Sequence, residues 1–183
     1  MPNLMKLAAA GSLAAAIAAT VLFCRLGKGI YLTLAVTFGT VAYHLLIRLI
    51  IGMIYSLIMN NKADYTGKWY RSRPWEESLY KLLRVKRWKD RMPTYSPETF
   101  SREKHSWDDI AQAMCQSELV HETNVIFSFV PLVAAIWFGS FEVFLITSVC
   151  GGILDLLFAI MQRYNRPRVI RLAAKENARR KNR

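Results

Sequence analysis

Residues 30–59 read IYLTLAVTFGTVAYHLLIRLIIGMIYSLIM. A helix needs about 20 apolar residues to cross the hydrocarbon core of a bilayer. Ile30 to Met59 therefore suffices for one tilted helix that reaches past that core. Two basic side chains lie inside the run, His44 and Arg48, four positions apart on one helical face. A charged Arg at membrane depth needs a partner or water, which makes Arg48 a candidate binding residue. Asp155, inside the last apolar run, is the obvious partner. At ~1.5 Å per residue Arg48 lies ~27 Å from the outer end of its helix and Asp155 ~21 Å from the outer end of its own. Tilt can close that gap. A structural ion pair locking two spans together is the alternative to a binding role.

Three further apolar runs surround this one. Leu7 to Phe23 is rich in Ala and about the minimum spanning length. It fits a signal segment or a span, and Lys6 before it, with no clear cleavage site, favours a retained span. Val125 to Gly139 is short alone but adequate if its helix begins earlier. Ser106-Trp107-Asp108-Asp109 reads as a capped start for such a helix, and Pro131 is expected to kink it. Phe141 to Met161 is the last run, after a Gly139-Ser140 turn. The expected fold is an all-α integral membrane protein with about four transmembrane helices. Residues 1–59 hold two spans and 60–105 a basic interfacial insert. Residues 106–162 form the helix that leads into spans three and four, and 163–183 a basic tail.

Of 183 residues, 53% are hydrophobic, and the net charge is +12. Between Asn60 and Trp107 there are 12 Lys/Arg against 6 Asp/Glu, and from Arg163 onward 9 against 1. These two blocks hold 21 of the 25 basic residues. Flanked by apolar runs, they answer the positive-inside rule and attract anionic headgroups rather than nucleic acid. Four spans place both blocks, and both termini, on the cytoplasmic side of a cell membrane. The short first loop, with Arg25 and Lys28, dissents weakly. Within the insert, Pro74-Trp75-Glu76-Glu77 opens a helix with acids near its positive end. Trp75, Leu79, Leu82 and Leu83 follow at helical spacing. Val85-Lys86-Arg87-Trp88-Lys89 then mixes Trp with cations, as suits a lipid–water interface. Pro167 is expected to stop the last helix and fix how the tail projects. Cys24, Cys115 and Cys150 are scattered and odd in number, which suits small apolar packing residues.

Glu118-Leu119-Val120-His121-Glu122 places three ionisable side chains at i, i+3 and i+4 on one helical face. A solvated helix end would look the same. As chemistry, an imidazole titrates near neutrality and serves as a general base, with Glu118 or Glu122 to orient it. Di-iron bundles take Glu-x-x-His twice with two further Glu; here it occurs once, so no metal ligand and no cofactor is assigned. Cys115 lies six residues before His121 on a different part of the helix turn, and Ser117 and Ser128 are no better placed by sequence, so direct transfer is simpler than a covalent intermediate. At the foot of the last span, Gln162-Arg163-Tyr164-Asn165-Arg166-Pro167-Arg168 is a dense donor set for phosphate or carboxylate. A stop-transfer anchor would need only its cations.

These blocks resemble the glycosyl-4,4′-diaponeurosporenoate acyltransferases, small membrane enzymes of carotenoid assembly. Trp75-Glu76 through Tyr80, with Val85 to Asp90, is similar to the family segment ending in Val/Ile-x-x-Trp-Lys. Glu118 to His121 is similar to its Glu-x-x-His block. Ile160 to Arg168 matches its Gln-Arg-Tyr-Asn-Arg-Pro-Arg motif, the most specific of the three. The resemblance covers roughly Tyr70 to Leu172. It implies transfer of a fatty acyl chain from a cytosolic thioester, an acyl-CoA or an acyl carrier protein, to a sugar hydroxyl of a glycosylated polyisoprenoid acid or related glycolipid. His121 would then be the base and Glu118 its orienter. Arg163, Asn165, Arg166 and Arg168 would hold the donor's phosphates or the acceptor's carboxylate, with Trp88 and Lys89 lining an interfacial entrance. The chain departs from the family pattern at Glu122, where members carry Trp; this carboxylate is expected to bear on the acceptor used. The rival readings are a membrane scaffold without enzymatic activity and a metal-dependent oxidoreductase using Glu118 and His121.

Overall fold

The computed structural model describes residues 2–182. It is 82% helix, with no strand among the described residues. Seven α-helices follow one another among the described residues: α1 (Pro2–Leu26), α2 (Gly29–Met59), α3 (Pro74–Leu82), α4 (Val85–Trp88), α5 (Trp107–Phe127), α6 (Pro131–Phe138) and α7 (Phe141–Lys181). Among the described residues four helical stretches, Asn3–Leu26, Gly29–Met59, Trp107–Phe138 and Phe141–Lys181, are long and apolar enough to cross a membrane. The protein buries at most 28% of the most apolar window of any of them. Side chains such as Leu7, Ile30, Ile126, Ile136 and Trp137 stay exposed, so it is lipid that must cover this surface.

The chain divides into two compact units, Met1–Met53 with Glu122–Asp155, and Ile54–His121 with Leu156–Arg183. In the first, Arg48 Nη2 lies 2.5 Å from Asp155 Oδ2, the pairing expected from sequence. The same nitrogen donates to the Gly151 carbonyl at 3.0 Å. A Cβ at Gly151 would sit 3.1 Å from Arg48 Nη2 and 3.2 Å from His44 Nδ1, so a larger residue here requires those side chains to give by a few tenths of an ångström. Glycine costs about 1 kcal/mol of helix propensity against alanine, and here it leaves room for the Arg48–Asp155 pair.

Pro131 acts as the sequence suggests, but through a break rather than a bend. Helix α5 ends at Phe127 and Pro131 opens α6. Proline has no N–H, so it cannot bond the Phe127 carbonyl four residues back. Val130 N donates to that oxygen at 3.2 Å, and Tyr43 OH donates to it at 2.9 Å. Unsatisfied carbonyls are expensive in hydrocarbon, and a tyrosine on α2 supplies the missing donor. Tyr43→Phe is expected to destabilise the fold by about 1 kcal/mol. Thermal unfolding of the purified protein in detergent, compared with wild type, measures it.

In the second unit, α2 ends in two left-handed residues, Asn60 (φ 45°) and Asn61 (φ 58°), the residue type that tolerates that region best after glycine. Asn61 N donates to Gln116 Oε1 at 2.7 Å, and Tyr65 OH donates to Asp108 Oδ1 at 2.6 Å. The Asp108 carboxylate and burial push the Tyr65 phenol up to about 12. Pro74 opens α3 with Glu76 and Glu77 in its first turn, as expected. Its apolar side chains Trp75 and Leu82, and Leu83 just past its end, are exposed while Glu76 is buried. That is the reverse of a helix packed on a soluble core, and it suits one lying at a lipid interface.

Helix α7 corrects the expectation for Pro167. The helix runs through it and continues to Lys181. An internal proline costs about 3 kcal/mol or more, and the side chains around it oppose that cost. Arg163 and Arg166 are tied down before Pro167, and Glu176 is tied to Arg102 and to the Trp107 N–H after it.

Candidate active site

Helix α5 starts with a reciprocal cap. Asp109 N donates to Ser106 Oγ at 3.1 Å, and Ser106 N donates to Asp109 Oδ2 at 3.2 Å. This satisfies N–H groups left without an intrahelical partner and fixes where α5 begins. Glu118 and His121 then fall at set points along the helix.

Glu118 is fully buried. Its Oε1 accepts from Arg163 Nη1 at 2.7 Å, and its Oε2 accepts from Arg166 Nη1. Glu76 is likewise buried, and its Oε1 accepts from Arg163 Nε at 2.8 Å. The remaining donors of Arg163 reach the Trp69 and Arg71 carbonyls at 3.3 and 3.2 Å. Arg166 Nη2 donates to the Tyr70 carbonyl at 2.5 Å, and its guanidinium lies 5.1 Å from the centre of the Tyr70 ring. Two carboxylates thus meet two guanidiniums. Burial of charge is tolerable only when paired and hydrogen-bonded in this way. Tyr80 extends the cluster, its hydroxyl donating to Glu76 Oε2 at 3.0 Å and its ring meeting Tyr164 edge-on at 5.2 Å. Burial first, and then the Glu76 carboxylate, push the Tyr80 phenol far up, so it stays a donor.

His121 is half-buried and stacks on Phe158, with centroids 4.8 Å apart and planes 14° apart. Glu122 beside it is half-buried too. Of the Gln162–Arg168 motif, Arg163 and Arg166 are committed to the cluster. Arg168 is exposed and Asn165 half-buried. Trp88 Nε1 donates to the Leu83 carbonyl at 2.9 Å, and Lys89 Nζ lies 2.6 Å from Asp90 Oδ1. Arg48 sits with Asp155 in the other unit. Sequence reasoning missed Glu76 and Tyr80 as members of the cluster. Their i, i+4 spacing on α3 was the available signal, but Glu76 also suited a plain helix opening.

Arg166→Lys keeps the charge but has one donor head in place of a planar fork. It cannot serve both Glu118 and the Tyr70 carbonyl as arginine does. The variant is expected to lose about 2 kcal/mol of stability, read as a lower unfolding temperature in detergent.

An all-helical chain with four membrane-spanning stretches and a buried arginine–glutamate cluster beside a histidine defines a polytopic membrane protein with a built polar site. The family model for glycosyl-4,4′-diaponeurosporenoate acyltransferase (CrtO) matches residues 66–175. The chain belongs to this family and is an acyltransferase. The matched residues include Glu76, Glu118, His121, Arg163, Arg166 and Arg168. Searches of curated proteins and of solved structures give no match.

Proposed function

We propose that the enzyme moves a fatty acyl chain from a cytosolic thioester to a sugar hydroxyl of a glycosylated polyisoprenoid acid or a related glycolipid in the membrane. The observation that carries this reading is the placement of His121. It stands on α5 one turn beyond Glu118, whose carboxylate anchors two guanidiniums, and its ring stacks on Phe158. A ring held on one face is pre-oriented for proton transfer.

In this mechanism His121 takes the proton of the sugar hydroxyl as that oxygen attacks the thioester carbonyl carbon. The tetrahedral oxyanion then collapses, the carbon–sulfur bond breaks, and the thiolate takes the proton back from the imidazolium. The products are the acylated sugar and a free thiol. Glu118 acts as a positioning residue, holding Arg163 and Arg166 and with them the foot of α7 against α5. Arg168 and Asn165 are left to meet the acceptor's polar end. Trp88 and Lys89 lie at the interfacial entrance, with the exposed stripe of α3 in the lipid. Arg48 locks Asp155 inside the spans. Both basic blocks face the cytoplasm of a cell membrane, where the thioester is.

Mass spectrometry of lipid extracts from host cells with and without the gene tests this. A species present only with the gene, and replaced in its absence by one lighter by a single acyl group, is the expected result. An unchanged lipid profile while the protein is expressed overturns the reading.

A further inference from the structure

The basic tail ends in a groove that the transfer mechanism does not use. It lies in the second unit, has a volume of about 490 Å³, and is walled by Arg102, Trp107, Lys175, Glu176, Arg179 and Arg180, with Leu172 beneath. Four cations face a single carboxylate. Glu176 is spent on the walls, accepting from Arg102 Nη2 at 2.8 Å, from Trp107 N at 3.2 Å and from Arg180 Nη2 at 3.3 Å. Arg102 is fixed again by the His105 carbonyl, to which its Nη1 donates at 3.0 Å. Its guanidinium lies 5.7 Å from the centre of the Trp107 ring. Lys175 and Arg179 are exposed and have no hydrogen-bond or ion-pair partner among the described residues.

We propose that this groove binds the phosphate-rich nucleotide portion of the acyl donor, so that the thioester is carried on a small nucleotide. The inference rests on the acyl-transfer reading above and names the class of its donor. The excess of cations calls for more than one phosphate. A volume near 490 Å³ falls in the range of small-molecule sites. The indole wall offers a flat surface beside the cations, as a nucleobase requires. A bilayer spreads its phosphates over a plane and is met equally well by mobile cations on a convex surface. Here one guanidinium is held by three contacts at the rim of a hollow. Arg179 and Arg180 also lie beyond the residues that the family model matches, so the groove is completed by this chain's own tail.

The test is titration calorimetry on the full-length protein in zwitterionic nanodiscs, with coenzyme A as the probe, since its free thiol permits binding without transfer. Saturable binding is expected, weakened at least tenfold by Lys175→Glu with Arg179→Glu. An equal charge change elsewhere, Lys86→Glu with Arg87→Glu, should leave it within twofold. Arg179→Gln alone, a milder change, should weaken binding about threefold if the double variant fails to fold. Coenzyme A that does not bind, or that binds the groove variants as well as wild type, overturns the proposal. So does groove-dependent capture of phosphatidylglycerol vesicles or of an acyl carrier protein with none of coenzyme A. Lipid acylation that persists without coenzyme A binding sinks the groove alone. Binding that persists in an enzyme with no acylated lipid sinks the transfer reading instead.

Discussion

His121→Ala is expected to lower kcat/KM for acyl transfer by 10²- to 10⁴-fold, the usual contribution of a positioned general base, or about 3–5 kcal/mol of transition-state stabilisation. The loss should fall on kcat, because in the proposed mechanism the imidazole acts on the hydroxyl proton only as the new ester bond forms. The fold should tolerate the change, since His121 is only half-buried. Initial rates on purified protein, with the unfolding temperature measured alongside, decide it. A variant that stays folded and turns over at the wild-type rate removes His121 from the chemistry.

Glu118→Ala acts on the fold instead. It leaves the fully buried Arg166 without a carboxylate partner, while Arg163 keeps Glu76. Removing one partner of a buried pair costs about 3–5 kcal/mol, a large share of the stability of an ordinary domain. Activity falls with the folded fraction rather than through a specific step. The double change Glu118→Leu with Arg166→Met removes the orphaned charge with the carboxylate. It should recover much of the loss, because well-packed apolar residues often replace a buried ion pair at little cost. Unfolding temperatures of Glu118→Leu, of Arg166→Met and of the double form the required cycle. Additive losses would show that Glu118 and Arg166 are not coupled.

The spans were legible because hydropathy over twenty residues is a strong signal, and lipid accepts any helix with that surface. The cap at Ser106 and the turn at Gly139 were legible because each depends on neighbours within a few positions. Arg48 could be matched to Asp155 because a membrane interior offers few alternatives. Pro167 was misread because its local rule is overridden by partners far away in sequence. Arg163 meets Glu118 across 45 positions and Glu76 across 87, separations at which no periodicity speaks. The same distance hid the role of Glu118. Spacing set it beside His121, and the fold gives both its oxygens to arginines on α7.

The unbroken course of α7 past Pro167 also governs which kinds of change the chain can absorb. Arg166 and Glu176 are fastened to different partners and joined only by helix. Loss of a single residue between Arg168 and Leu172 would turn Glu176 by about 100° and draw it in by about 1.5 Å. No side-chain replacement restores that alignment. This stretch should therefore accept many substitutions yet no change of length, while the irregular segment from Met92 to Ser96 can lengthen or shorten freely.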